Sequence, residues 1–221
     1  MRILYFSDIH LHFQPLELLP DADLVLIGGD FTNFGTPQEF REAIRLVEAR
    51  FPHFLAVAGN LDPAEADIIL EETGHGLPAR PLSRNGLAMM GISGSNLCPK
   101  ATPFQWEDGA MEERLTKLPP LSLDILVTHA PPLDSGADVI PNGLHVGSRA
   151  IAYLASQAKP RLHLCGHIHE AAGIFPSPNT TLVNCGAFGE EGRHALIHWD
   201  TPDDTPKVTL HACQSPTHDT P

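Results

Sequence analysis

Seven side chains that could bind metal ions follow short apolar segments of this 221-residue chain. Each segment has the pattern of a buried strand, and a carboxylate, an amide or an imidazole comes directly after it. In chain order the seven are Asp8, His10, Asp30, Asn60, His129, His167 and His169. Because ligands of open α/β sheets bind just outside the carboxyl ends of the strands, we expect these side chains to meet at one edge.

The number and type of these donors indicate the chemistry. Two carboxylates, one amide and four imidazoles exceed the three or four protein groups that one zinc ion takes. They suit two ions with one carboxylate bridging, and O and N donors without thiolate favour Mn, Fe, Zn or Co over Cu(I). Two ions about 3.5–4 Å apart are the usual clamp for phosphate-ester hydrolysis, so the pattern predicts that reaction.

Alternating strands and helices would position these donors, and they predict a largely parallel sheet covered by helices. The predicted strands span residues 2–7, 23–28, 53–59, 86–95, 123–128 and 161–165, and the predicted helices 36–50, 62–73, 104–118 and 148–158. Thr36, Pro37 and Glu39 form a capping-box signature for the first helix. Asp62 and Pro63 repeat that signature, which predicts Asp62 as the cap of the second helix.

The last third of the chain has a different pattern. Short strand-like segments separated by turn residues cover residues 172–175, 181–184, 194–199 and 207–211. They predict an antiparallel run and hence two sheets. We expect a single domain over residues 1–213, followed by a disordered tail at 214–221.

Composition excludes several functional classes. The net charge of −13 argues against a surface that binds duplex nucleic acid. No apolar run approaches the roughly 18 residues of a membrane helix, and the N-terminal MRILYFSD does not resemble a signal peptide. The four cysteines have no CxxC spacing, which favours a reduced, cytoplasmic location. The expected partner is a small phosphate ester, and both a monomer and a homodimer stay open.

Five motifs in a fixed order carry a family resemblance. DIH, GGD, GN, THAPP and GHIH, over roughly residues 3–186, resemble those of the calcineurin-like metallophosphoesterase superfamily. HVGS and GHIHE are similar to the small prokaryotic phosphoesterases called Icc-related. The resemblance implies an α/β (α+β) fold, a four-layer α-β-β-α sandwich of two mixed sheets flanked by helices.

The same resemblance implies a role for each donor. Asp8, His10 and His169 would bind a first divalent ion, Asn60, His129 and His167 a second, and Asp30 would bridge both. A water or hydroxide between the ions would be the nucleophile. Mn is the favoured metal, with Fe, Zn, Co and Ni as alternatives.

The chain departs from the family at Leu61, where the usual motif Gly-Asn-His becomes Gly59-Asn60-Leu61. The family histidine is thought to protonate the leaving group or to bind phosphate, and leucine can do neither. A general acid contributes typically about 10²–10⁴-fold. His12 and His145 could substitute. His145 is favoured as a catalytic residue because it precedes a helix whose N-terminus could bind an anion.

Four further residues could contact the substrate or be purely structural: Asn33, Arg149, Asn184 and Arg193. Specificity is expected in the loops at residues 95–108 and 134–146. Phosphodiesters are favoured over monoesters as substrates. Two other hypotheses remain: a non-catalytic metal-binding scaffold of the same fold, and a barrel-type metal hydrolase, which would more naturally begin with HxH after its first strand.

Overall fold

The computed structural model describes residues 1–201 and 204–213. Its strands are β1 (Arg2–Phe6), β2 (Leu24–Ile27), β3 (Phe54–Ala56), β4 (Leu82–Arg84), β5 (Leu87–Ile92), β6 (Ser95–Asn96), β7 (Gln105–Trp106), β8 (Ile125–Thr128), β9 (Leu162–Cys165), β10 (Gly173–Pro176), β11 (Thr181–Asn184), β12 (Arg193–His198) and β13 (Lys207–Ala212). Its helices are α1 (Pro37–Arg50), α2 (Ala66–Thr73), α3 (Asp108–Thr116), α4 (Arg149–Ala158) and α5 (Phe188–Glu191). The predicted disorder of residues 214–221 concerns a segment outside this described part.

Two mixed sheets contain most of the strands. The first has the order β13-β12-β1-β2-β3, with β1, β2 and β3 parallel and the other pairs antiparallel. The second has the order β10-β11-β9-β8-β5-β4, with its four inner strands parallel and its two edge strands antiparallel. The predicted antiparallel run is confirmed within the pairs β10–β11 and β12–β13, and two sheets are present as expected. It is corrected in one respect: the two pairs belong to different sheets, and β11 lies parallel to β9.

Alternating side chains of β1 show how the layers form. Ile3 and Tyr5 are packed between the two sheets, in one core with Val127 of β8. Leu4 and Phe6 point to the opposite face, where α1 and α2 cover the first sheet. This alternation follows from the two-residue period of a strand. A third core lies between the second sheet and α3 and α4. The expected four-layer α-β-β-α sandwich is confirmed.

The helix boundaries confirm one capping prediction, correct another, and shorten one predicted helix. Thr36 caps α1, and its side chain and that of Glu39 form the expected capping box. In contrast, α2 begins only at Ala66, so Asp62 does not cap it. The predicted helix at 104–118 is shorter because Gln105–Trp106 pairs with Ser95–Asn96 as a small sheet.

Two general properties concern the expected surroundings of the protein. Within the described residues, the helices are too short or too polar to cross a membrane. All four cysteines are free, and Cys165 and Cys185 are buried in apolar surroundings.

Candidate metal centre

The carboxyl ends of β1, β2 and β3 in one sheet and of β8 and β9 in the other meet at one edge of the sandwich. The donors that follow these strands contact one another across the two sheets. His129, which follows β8, has Nε2 at 2.9 Å from Asn60 Oδ1 and at 3.5 Å from Asp30 Oδ2. His169, which follows β9, has Nε2 at 3.2 Å from Asp8 Oδ1. The predicted meeting of the strand ends is therefore present.

Asp8, His10 and His169 form the first cluster of donors. One donor atom of each lies within 4.8 Å of those of the other two. Nε2 of His10 lies 3.4 Å from Nε2 of His169 and 3.9 Å from Asp8 Oδ1. Asp8 is completely buried, whereas the two histidines are partly exposed. The three side chains could hold one ion that a substrate can reach.

Asp8, Asp30 and His129 form the second cluster, again with donor atoms within 4.8 Å of one another. Asn60 joins it through its contact with His129. His167 lies beside it, since its ring centroid is 5.0 Å from that of His129. Asp8 belongs to both clusters, and its carboxylate also accepts hydrogen bonds from the His167 backbone N–H. The seven predicted donors thus form one continuous group.

The tautomer of His129 follows from a contact between the sheets. Its Nδ1 lies 2.8 Å from the carbonyl oxygen of Gly28, to which it donates. When the ring is neutral, its Nε2 lone pair faces Asp30 and Asn60 and is available to a metal ion. Burial alone lowers the pKa of His129, but the charges of Asp30 and Asp8 and the hydrogen bonds raise it to about 9.

The donor set fits divalent metal ions. Asp8 and Asp30 are buried, and within the described ranges only histidines lie at ion-pair distance from them. Buried carboxylates without a permanent cation are costly unless a metal ion compensates them. Burial raises the pKa of Asp8, but the hydrogen bond to His169 and the nearby histidines hold it well below its ordinary value. Burial lowers the pKa of His167 to about 4, which keeps that ring neutral.

The backbone of the centre is strained at the donors themselves. Four of the seven have left-handed φ angles, namely Asp8 at 61°, His10 at 49°, Asp30 at 50° and His167 at 69°. Such residues cost of order 1–3 kcal/mol each and cluster at functional sites. These backbone conformations therefore lower the stability of the fold, and they direct the four side chains toward the centre.

Two glycines of the motifs leave room for the carboxylates. A Cβ at Gly59 would collide with Asp30 Oδ1, and a Cβ at Gly166 would collide with Asp8 Oδ2. The glycine before Asn60 and the glycine before His167 are therefore required by close packing. Any side chain at these two positions would displace a carboxylate of the centre.

Asp62 has a role that the sequence interpretation missed. It is fully buried and accepts hydrogen bonds from the N–H groups of Gly59 at 2.9 Å and Thr32 at 2.9 Å, and from the Thr32 hydroxyl at 2.8 Å. It therefore ties the segment after Asp30 to the segment that carries Asn60. Burial and the nearby charge of Asp30 raise the pKa of Asp62 to about 7.

Leu61 serves the centre through its backbone. Its N–H donates to Asp30 Oδ1 at 2.8 Å, a contact that any residue except proline could make. Its side chain is half-buried. The substitution of the family histidine therefore leaves the support of Asp30 intact and changes only what the side chain offers to a substrate.

His145 is exposed and is oriented by a buried carboxylate. Its Nδ1 lies 2.9 Å from Oδ1 of Asp138, which is completely buried. This hydrogen bond raises the pKa of His145. Asp138 also accepts the N–H groups of Asp134 at 2.9 Å and Gly147 at 3.2 Å.

The predicted anion-binding role of the helix after His145 is wrong. Asp108 accepts hydrogen bonds from the Arg149 N–H and the Ser148 hydroxyl. Ser148 in turn caps α4 by accepting from the Ile151 N–H. The N-terminus of α4 is therefore occupied by a carboxylate of the protein itself.

The remaining candidates lie in different environments. His12, Asn33 and Arg149 are exposed, and Arg193 pairs with Glu191. Asn184 is buried and donates to the carbonyl oxygens of Ile168 at 2.8 Å and Ala137 at 3.3 Å. Asn184 thus braces the turn between His167 and His169, which fits the structural alternative.

Cys98, like Asp62, lies beside the centre although no sequence motif indicated it. Its Sγ lies 3.7 Å from Nε2 of His167. Nearby, the Asn96 side chain donates to the carbonyl oxygen of Val146 at 3.2 Å. These contacts pack the loop after β6 against both the second donor cluster and the loop that carries His145.

Known proteins share this sequence pattern and this fold. The model of the calcineurin-like phosphoesterase superfamily domain matches residues 1–201. An uncharacterised protein of Methanocaldococcus jannaschii is 29% identical over 191 residues, which are 83% of this chain and 87% of that protein. A probable glycerophosphodiester phosphodiesterase of Arcobacter nitrofigilis is 26% identical over 205 residues, 83% of this chain and 66% of that protein. A crystal structure from Thermus thermophilus superposes with a TM-score of 0.69 at 18% identity, covering 96% of this chain and 98% of that one, which supports the fold.

Proposed function

The chain belongs to the calcineurin-like phosphoesterase superfamily, and from that premise we propose that it hydrolyses phosphate esters, preferentially phosphodiesters, with two divalent metal ions. The observation that carries the proposal is the continuous group of seven O and N donors at the junction of the two sheets. Manganese is the metal that we propose first. We place the reaction in the cytoplasm and on a small substrate, neither duplex nucleic acid nor a membrane.

Each donor has a proposed place. Asp8, His10 and His169 would hold the first ion, Asn60, His129 and His167 the second, and Asp30 would bridge them. When bound, two divalent ions supply a lowered pKa for a water molecule and compensate charge on the phosphate. The protein contributes fixed donors: the Gly28 carbonyl sets the ring of His129, and Asp62 holds the backbone before Asn60.

His145 is the proposed proton donor to the leaving group. Asp138 fixes its tautomer, because the Nδ1 proton is committed to the buried carboxylate and Nε2 remains for the substrate. The raised pKa keeps the ring protonated at higher pH, as a general acid requires. The position of the loop supports this role, since Asn96 and Asn184 link it to the segments beside His167.

Diesters are preferred in this proposal for two reasons. The Arcobacter relative carries the name of a probable diesterase. The apolar Leu61 also adds no charge or donor for the additional anionic oxygen of a monoester. A phosphomonoesterase is the near alternative. Leu61 also favours a second candidate function, a metal-binding scaffold without useful turnover.

The experiment measures bound metal and the hydrolysis of bis-p-nitrophenyl phosphate and p-nitrophenyl phosphate with Mn²⁺. We expect two bound ions per chain and faster hydrolysis of the diester than of the monoester. In Asp30→Asn we expect both the metal binding and the hydrolysis to be lost. Asp21→Asn is the matched control, because Asp21 is a surface carboxylate paired with Arg50. Two bound ions without turnover of either ester would support the scaffold instead.

A further inference from the structure

Four exposed apolar side chains lie on loops around the metal centre, and we name them the apolar rim. They are Leu11 (45% exposed), Phe34 (43%), Leu97 (58%) and Leu144 (59%), which follow β1, β2, β6 and β8. Half of the large apolar side chains that are exposed in the described residues therefore belong to this one edge. Single exposed leucines are normal on any surface, whereas exposed apolar side chains grouped on neighbouring loops indicate a binding site.

Contacts between the loops join the rim into one surface. Lys100, in the loop that carries Leu97, places its Nζ 4.5 Å from the centroid of the Phe34 ring. At the other end of that loop, Asn96 donates to the Val146 carbonyl oxygen, two residues from Leu144. The Leu11 N–H donates to the carbonyl oxygen of Phe31, so the first two loops are also paired. The loops that carry the four side chains thus form a connected series.

The rim also shares the strain of the metal donors. Leu11 has a φ of 66° and Phe34 a φ of 57°. Left-handed backbone is uncommon for bulky residues, and it is retained where the surrounding structure requires a particular direction of the side chain. Both side chains are exposed, so this backbone geometry leaves them accessible to a ligand. Leu61, which is adjacent to Asn60 in the chain, is also apolar and only half-buried.

We propose that the apolar rim binds an apolar ester group of the substrate, so that this enzyme acts on phosphodiesters whose second ester group is an alkyl chain or an aromatic ring. This inference rests on the proposed function, because it assigns the phosphate to the metal centre. The phosphate would sit on the ions while the apolar group covers Leu11, Phe34, Leu97 and Leu144.

Binding tests the inference without requiring turnover. Methyl, butyl and octyl phosphonate are titrated into the Mn²⁺-loaded protein by calorimetry, below the critical micelle concentration of each. Because each half-buried methylene is worth about a twofold gain in affinity and the octyl chain has about seven more of them, we expect octyl phosphonate to bind on the order of a hundred times more tightly than methyl phosphonate. An affinity independent of chain length would overturn the proposal.

Variants locate the surface. Phe34→Ser and Leu144→Ser should each flatten the dependence on chain length by several-fold. Leu46→Ser is the matched control, because Leu46 is 44% exposed on α1 and lies outside the rim. The proposal is wrong if the rim variants keep the full dependence of affinity on chain length. It is also wrong if the protein binds phosphatidylcholine vesicles but its affinity for soluble phosphonates does not increase with chain length.

Turnover separates this inference from the proposed function. Methyl and octyl p-nitrophenyl phosphate have the same leaving group and differ only in the second ester. Hydrolysis of the methyl and the octyl ester at equal kcat/KM would contradict the proposed role of the apolar rim but would support the proposed phosphoesterase activity. Absence of hydrolysis together with chain-length-dependent phosphonate binding would overturn the phosphoesterase and leave the rim as a binding surface.

Discussion

The loop after β3 and the loop after β8 are both held by a buried aspartate, yet the residues beside these two aspartates offer different side chains. Asp62 holds the first loop, whose outward residue is Leu61. Asp138 holds the second, whose outward residue is His145. The family's usual histidine is missing from the first loop, and an oriented histidine is present in the second.

The surroundings of the two carboxylates explain the difference. Asp62 is satisfied by backbone N–H groups and the Thr32 hydroxyl, and burial and Asp30 raise its pKa to about 7. Burial also raises the pKa of Asp138, but hydrogen bonds from His145, Asp134 and Gly147 outweigh it and lower the pKa overall. Asp62 therefore only organises backbone, whereas Asp138 also stabilises a protonated ring. The comparison teaches that an oriented histidine and the turn that carries the candidate ligand Asn60 can be supported by separate loops.

The largest effect should come from removing the histidine of the second loop. With a diester of a poor alkyl leaving group, His145→Ala should lower kcat by about 10²–10⁴-fold, because the departing alkoxide loses its proton source. With a p-nitrophenyl leaving group the loss should be small. Adding Leu61→His to His145→Ala should restore part of the alkyl activity. If His145→Ala lowered kcat equally for the alkyl and the p-nitrophenyl leaving groups in steady-state assays, His145 would not be the proton donor.

The two anchors should differ in their contribution to folding. Asp62→Ala leaves the buried N–H groups of Phe31, Thr32 and Gly59 without this acceptor and should lower the free energy of unfolding by about 3 kcal/mol. Asp138→Ala should cost only about 1 kcal/mol, because two of its donors, at Asp134 and Ser135, can reach water. Urea unfolding of the metal-free proteins measures both values. Similar losses would show that the loops are anchored equally.

The pH dependence tests the link between Asp138 and His145. The hydrogen bond to Asp138 raises the pKa of His145, so the acid stays protonated to higher pH. Asp138→Asn keeps an acceptor for Nδ1 but removes the charge, and the alkaline limb of kcat for the alkyl ester should move to lower pH. At pH 8 we expect a loss of up to about tenfold, the effect of one pKa unit. An unmoved limb would mean that another group sets it.

A small effect should come from one hydroxyl of the first loop. Thr32→Val removes the hydrogen bond from the hydroxyl to Asp62 while keeping the shape of the side chain. The free energy of unfolding should fall by about 1 kcal/mol, with the backbone bond from Thr32 retained. Thr209→Val, on an exposed strand face, is the control in the same urea experiment. No difference between the two variants would assign the stability of Asp62 to its backbone bonds alone.

The alternation of strands and helices and the meeting of the donors could be predicted because both depend on local pattern, whereas the four-layer sandwich was implied only by the family resemblance. Short apolar segments identify buried strands, and polar residues directly after them must share the carboxyl edge. The capping box at Thr36 and Glu39 is equally local and is confirmed. For the same reason, the seven donors could be predicted to lie at one edge of the fold without knowledge of any interatomic distance.

Features that depend on distant partners could not be predicted. Asp62 resembles a helix cap in sequence, but the N–H group of Thr32 that donates a hydrogen bond to it lies 30 residues away in the chain. Asp108 reaches the start of α4 across 41 residues, which removes the anion site expected there. Cys98 contacts His167 across 69 residues. The left-handed backbone of the donors is likewise set by the packing around them, since non-glycine residues carry no strong local signal for it.

The order of the strands has a consequence for the synthesis of the protein. The second sheet is built from β4, β5 and β8 to β11, all of which lie between β3 and β12 of the first sheet. On the ribosome, β1 with Asp8 and His10 emerges early, but its partner β12 emerges only after the whole second sheet. Such long-range pairing makes folding slow. The last candidate ligand, His169, also appears late, so the set of seven donors is complete only in a nascent chain that has nearly finished its fold.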